Sequence, residues 1–225
     1  MTNLDRLKGT TYLIDGFESC LKNWLAPMEP NPDPLHWTDE EMELVRSMPD
    51  SALQFYEVVQ RWPTSWIVEI NELEQDALLF PPLKVTERWI PNSNDKVAID
   101  FSRVSIAAEN QDNWTVEVSL EKEDFGKLYV NVDKELYSAK TLEWFPMETS
   151  LDEFLVMFGF YNMIICSGYF EHETERFPDS ELIFTGGYAS DLEHGVFYHP
   201  DGLLWLTTGP SKEDGIFWCA KKPST

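Results

Sequence analysis

Trp114-Thr115-Val116-Glu117-Val118-Ser119-Leu120 is the stretch whose reading decides the fold. Apolar residues take its even positions and polar residues its odd ones, the two-residue period of a strand with one face in a core. Leu128-Tyr129-Val130-Asn131-Val132 repeats the pattern, and Glu121-Lys122-Glu123-Asp124-Phe125-Gly126 supplies an acidic loop between the two. Upstream, the run from Val104 to Ala108 reads as a further strand leading into Glu109-Asn110-Gln111, and Val97-Ala98-Ile99-Asp100-Phe101 as another. A mostly antiparallel sheet is therefore expected in the middle of the chain.

Helices precede it. Leu13, Ile14, Phe17, Cys20, Leu21, Trp24 and Leu25 recur at three-and-four spacing, an amphipathic helix weakened at Gly16 by roughly 1 kcal/mol relative to alanine. Pro27, Pro30, Pro32 and Pro34 then make an extended connector. Thr38 followed by Glu41 is a capping-box spacing that opens a second helix, carrying Met42 and Val45 inward. Met48-Pro49-Asp50 interrupts it, and a third helix turns Leu53, Phe55, Tyr56, Val59 and Trp62 inward until Pro63. Leu73 to Leu79 has the pattern of one or two helical turns ahead of Pro81-Pro82.

Beyond the sheet, Ser150 caps a helix running to about Ile165, with Leu151, Phe154, Leu155 and Phe158 toward the core. The remainder is strand-like. Leu182-Ile183-Phe184-Thr185 ends at Gly186-Gly187, and His199-Pro200-Asp201-Gly202 is a hairpin turn between Val196-Phe197-Tyr198 and Leu203-Leu204-Trp205-Leu206. Ile216-Phe217-Trp218-Cys219 adds one more strand. The expected class is α+β: N-terminal helices packed on a mostly antiparallel central sheet, one helix after it, and a C-terminal β-meander. Residues 1–34 form an N-terminal helix and connector, 35–167 the core, and 168–225 the meander, packed on or extending the same domain.

With 225 residues, 43% hydrophobic and nine tryptophans, the chain can bury a sizeable core. Forty acidic residues against 17 basic ones give a net charge of −23. Such a chain repels nucleic acid and anionic membrane, both of which are held by Lys and Arg contacts. It attracts a basic protein and speeds that encounter. The competing explanation is that the acidity only keeps the protein soluble, or reflects a salt-adapted proteome. The acidic clusters Glu69, Glu72, Glu74 and Asp76, then Glu121, Glu123 and Asp124, then Glu171, Glu173 and Glu175 are the candidate partner-binding positions. Taken singly, each reads first as a solvated face. An exposed Trp or Tyr among them would favour an interface.

Cys20, Cys166 and Cys219 are sparse, odd in number and without C-x-x-C spacing, which suits a reducing compartment. No signal-like segment opens the chain and no run is long enough to span a bilayer, so a cytoplasmic location is expected and the sequon at Asn113 is read as chance. His36, His172, His194 and His199 lack zinc-type spacing and read as surface histidines. No P-loop, G-x-S-x-G, G-x-G-x-x-G or H-E-x-x-H is present. With 40 carboxylates, nominating any pair as an acid and base would be empty. The expectation is no catalytic residue, no metal and no cofactor.

Four segments in order carry a resemblance. Met48-Pro49-Asp50-Ser51-Ala52-Leu53-Gln54-Phe55-Tyr56, built around Pro49, Leu53 and Tyr56, is similar to the "L-P-x-x-L-x-x-F/Y" helix start of SUKH-superfamily domains. Leu79-Phe80-Pro81-Pro82-Leu83 is comparable to their "L-P-P-x-x-L" segment. Glu109-Asn110-Gln111 with Trp114 resembles a strand ending in "E-N-Q" before a Trp-bearing strand. Trp144 ahead of Ser150-Leu151-Asp152-Glu153-Phe154-Leu155 resembles a Trp before a "S-L-x-x-F-L" helix. The loop at residues 121–126 departs from the family's "D-D-P-P-V" run by lacking proline. Read without the family, Glu109-Asn110-Gln111 is a polar strand end that closes a turn. The resemblance implies a non-enzymatic protein-binding module, an immunity-type protein that neutralises a basic toxin domain such as a nuclease. Its alternative is an intracellular regulatory or scaffold protein akin to the eukaryotic cell-wall-assembly relatives. An uncharacterised enzyme ranks behind both.

Overall fold

A computed structural model describes residues 13–24, 38–61, 78–83, 87–89, 96–98, 102–108, 114–132, 144–166, 179–187, 193–201, 203–207 and 216–221. Three helices come first: α1 (Leu13–Trp24), α2 (Asp39–Ser47) and α3 (Asp50–Arg61). Thr38 and Glu41 form the expected capping box, with Thr38 N donating to Glu41 Oε2 at 2.6 Å and Glu41 N to Thr38 Oγ1 at 3.2 Å. Asp39, Glu40 and Glu41 lie in the first turn of α2, where the helix dipole favours negative charge. At the other end Met48 is buried and its N–H donates to Val45 O. Pro49, which has no N–H to donate, separates α2 from α3.

Strands β1 (Leu78–Leu83), β4 (Arg103–Ala108), β5 (Trp114–Ser119), β6 (Leu128–Val132) and β7 (Phe145–Pro146) form a five-stranded antiparallel sheet in the order β1-β4-β5-β6-β7. A separate ribbon pairs β2 (Glu87–Trp89) with β3 (Lys96–Ala98). Helix α4 (Leu151–Cys166) follows. The meander β8 (Glu181–Gly187), β9 (Glu193–His199), β10 (Leu203–Thr207) and β11 (Ile216–Lys221) then forms a four-stranded antiparallel sheet in the order β11-β10-β9-β8. The α+β class is thus as expected. Among the described residues no helix is long and apolar enough to cross a membrane.

Two local expectations change. Leu78 to Leu83 is a strand and not the tail of a helical turn, and residues 73–77 lie outside the described residues. Its pairing with β4 shifts register between Leu79 and Leu83, the segment that holds Pro81 and Pro82. Prolines withdraw donors from a ladder, so they are tolerated at an edge such as this one. Of residues 97–101, only Val97 and Ala98 lie in a described strand.

The second change concerns α4. Its spacing predicts one apolar face, whereas every residue from Phe154 to Tyr161 is buried. The helix is packed from several sides, by α1 and α3 and by β8, β10 and β11. A helix apolar all round is what such a position requires. Its start is fixed by Ser150 and Glu153, whose backbone N–H groups are each met by the other's side chain at 3.1 and 3.4 Å. Gly159 lets α1 approach: an added Cβ there would lie 2.5 Å from Phe17 Cζ, and Phe17 is itself edge-on to Phe160 and stacked on Phe55. One apolar cluster joins Ile14 and Phe17 of α1, Phe55 and Tyr56 of α3, Val104, Val116 and Val130 of the first sheet, and Val196, Leu204 and Leu206 of the second.

A braced acidic turn as candidate interaction surface

Antiparallel register places the odd residues of β5 beside matching polar positions on its neighbours: Ser105 opposite Glu117, Arg103 opposite Ser119, and Glu117 opposite Tyr129. The even residues Val116 and Val118 face the core, as the alternation predicts. The odd face is not the open one a half-buried strand implies. Glu117 is 2% exposed and Ser119 1% exposed. Ser119 donates from Oγ to Asp124 Oδ1 at 2.7 Å and accepts from Glu121 N at 3.2 Å, so at least this part of the polar face has partners within the protein.

Asp124 is the centre of that network. Its second oxygen accepts from the Tyr129 hydroxyl, and the Arg103 guanidinium lies 3.8 Å from the centre of the Tyr129 ring. The centre of a Trp144 ring lies 5.8 Å from the same guanidinium. The hydroxyl of Ser119 and then that of Tyr129, with Arg103 and Lys127 nearby, hold the Asp124 carboxyl below the usual carboxylate range. The Tyr129 phenol shifts the other way, because ionising it would cost its hydrogen bond to a carboxylate.

Main-chain bonds complete the turn. Gly126 N donates to Ser119 O and Lys127 N to Asp124 O, both at 2.9 Å. Gly126 has φ +83°, a conformation in which a side chain is strained, and an added Cβ would lie 2.8 Å from Pro49 Cγ. The turn between β5 and β6 therefore rests directly on the joint between α2 and α3.

What the turn displays follows from this bracing. Glu121 and Glu123 are exposed, as are Lys122 and Lys127, while Asp124 is tied inward as a structural acceptor. Phe125 is 52% exposed, one of two large apolar side chains so exposed among the described residues. Sequence reasoning passed over it. An isolated Phe in a polar loop has no periodic partner, and the only available signal was an aromatic with no core position to fill. Asp50, which follows Pro49, is exposed as well.

The other candidate positions divide plainly. Glu69, Glu72, Glu74, Asp76, Glu171, Glu173 and Glu175 lie outside the described residues, as do Glu109, Asn110 and Gln111. Residues 109–113 join β4 to β5 in sequence, and of Trp114 only its place at the start of β5 is described. Tyr56, Phe154 and Leu155 are fully buried, Leu151 nearly so, and Leu53 packs on the core edge. Burial also raises the Tyr56 phenol above its ordinary pKa.

Of the four histidines read as surface residues, His194 is corrected, while His36 and His172 lie outside the described residues. His194 is 6% exposed, and its Nδ1–H donates to Thr207 O at 2.6 Å, while His199 sits at the β9–β10 turn with Nδ1 3.6 Å from Asp201 Oδ2. Cys20 is buried and its thiol is pushed up to about 12, so it is a core residue rather than a nucleophile. Among the described residues no group of three His, Cys, Asp or Glu is placed to hold a metal ion. The described residues define an α+β protein in which helix α4 packs between α1 and α3 and the strands β8, β10 and β11. No family model, curated protein or solved structure matches the chain.

Proposed function

We propose that this chain is a non-catalytic protein-binding module that docks a basic protein through an acidic surface, with neutralisation of a toxin domain as its biological role. The observation that carries the proposal is Phe125, held half in solvent between Glu121, Glu123 and Gly126 on a turn whose backbone is already fixed. An aromatic presented on ordered backbone loses little conformational entropy on binding, which is the economy of an interface anchor. Exposed Glu121 and Glu123 alternate with Lys122 and Lys127 around Phe125, so the attraction for a cationic partner rests on the net charge of −23. The ordered motifs shared with SUKH domains support the immunity-type role, and a nuclease is the partner whose basic, substrate-binding face suits this charge best.

The decisive experiment uses the intact protein and a purified basic nuclease toxin domain, taken from a neighbouring toxin-like gene where one is found. Expected is a complex whose association rate falls as salt rises past physiological ionic strength, and rescue of cells that express both. A salt-independent association rate would reduce the acidity to a solubility device. Absence of both complex and protection would overturn the immunity role, and capture of a cell-wall-assembly component instead would favour the regulatory alternative.

A further inference from the structure

We draw no further inference here: the strongest candidate beyond the braced turn, the seven-residue edge strand β8 with Leu182 37% exposed beside Glu181, carries nothing, because nothing in the structure shows what covers it.

Discussion

The two sheets handle their outward faces in opposite ways. In the four-stranded meander, Val196, Leu204 and Leu206 join the shared core, while Phe197 and Trp205 point to the other side and are still buried. Those two rings stack at 4.3 Å, and the Trp205 indole N–H donates to Ser180 Oγ at 2.9 Å. In the five-stranded sheet, the face away from the core carries Arg103, Ser105, Glu117, Ser119 and Tyr129 instead. Apolar burial on both faces makes a sheet that stores stability and shows little to a partner. Polar pairing on one face gives up some of that stability and fixes the geometry of the loop at the strand ends. On the proposed reading, recognition belongs to the first sheet and structural support to the second.

Four substitutions strain that division, and the largest effect falls in the meander. Trp205→Ala removes a fully buried indole with its stacking partner and hydrogen bond, and a loss of about 3–5 kcal/mol is expected in urea unfolding. A loss below about 1 kcal/mol would mean that this face is not closely packed. Gly159→Ala is next. Its methyl meets Phe17, which Phe55 and Phe160 hold in place, so about 1–3 kcal/mol is expected from overpacking. A neutral Gly159→Ala would show that α1 can slide on α4.

Asp124→Asn tests the polar face by its pH dependence. The folded Asp124 carboxyl titrates below its unfolded value, so its contribution is complete above about pH 4 and is lost as pH falls through the folded value. Replacing it with Asn should flatten that part of the acid limb of stability below about pH 4. An unchanged acid limb would assign the acid sensitivity to other carboxylates. Phe125→Ala should move stability least, within about 0.5 kcal/mol, because the ring is half in solvent. Its effect belongs to the complex: dissociation should quicken by tenfold or so, about 1.4 kcal/mol, with little change in association rate. Equal dissociation rates for wild type and Phe125→Ala would remove the anchor from the proposal and leave the charge argument standing.

Period and capping made much of the fold legible. The alternation at residues 114–120 located β5, Thr38 with Glu41 marked the start of α2, and the turn at residues 199–202 joined two strands as expected. What stayed hidden depends on neighbours distant in sequence. Nothing local in Leu78-Leu79-Phe80-Pro81-Pro82-Leu83 announces a strand, because the pairing partner is β4, some 20 residues on. The full burial of α4 was equally out of reach, since it depends on the meander arriving on its far side.

The surface was legible in part. Charge picked out Glu121, Glu123 and Asp124 alike, and only geometry separates the two exposed carboxylates from the one that serves as a brace. Phe125 escaped because exposure is a property of the folded chain, and pattern reading assigns aromatics to cores by default.

Helix α4 has a consequence for how the molecule came together. Because it takes its neighbours from α1 and α3 on some sides and from β8, β10 and β11 on others, its burial is complete only when both groups are in place. A ribosome releasing this chain would hold a greasy, half-clothed rod until the last strand of the meander emerged. Strands β8, β10 and β11 are thus less an appendage than the closing garment of the fold.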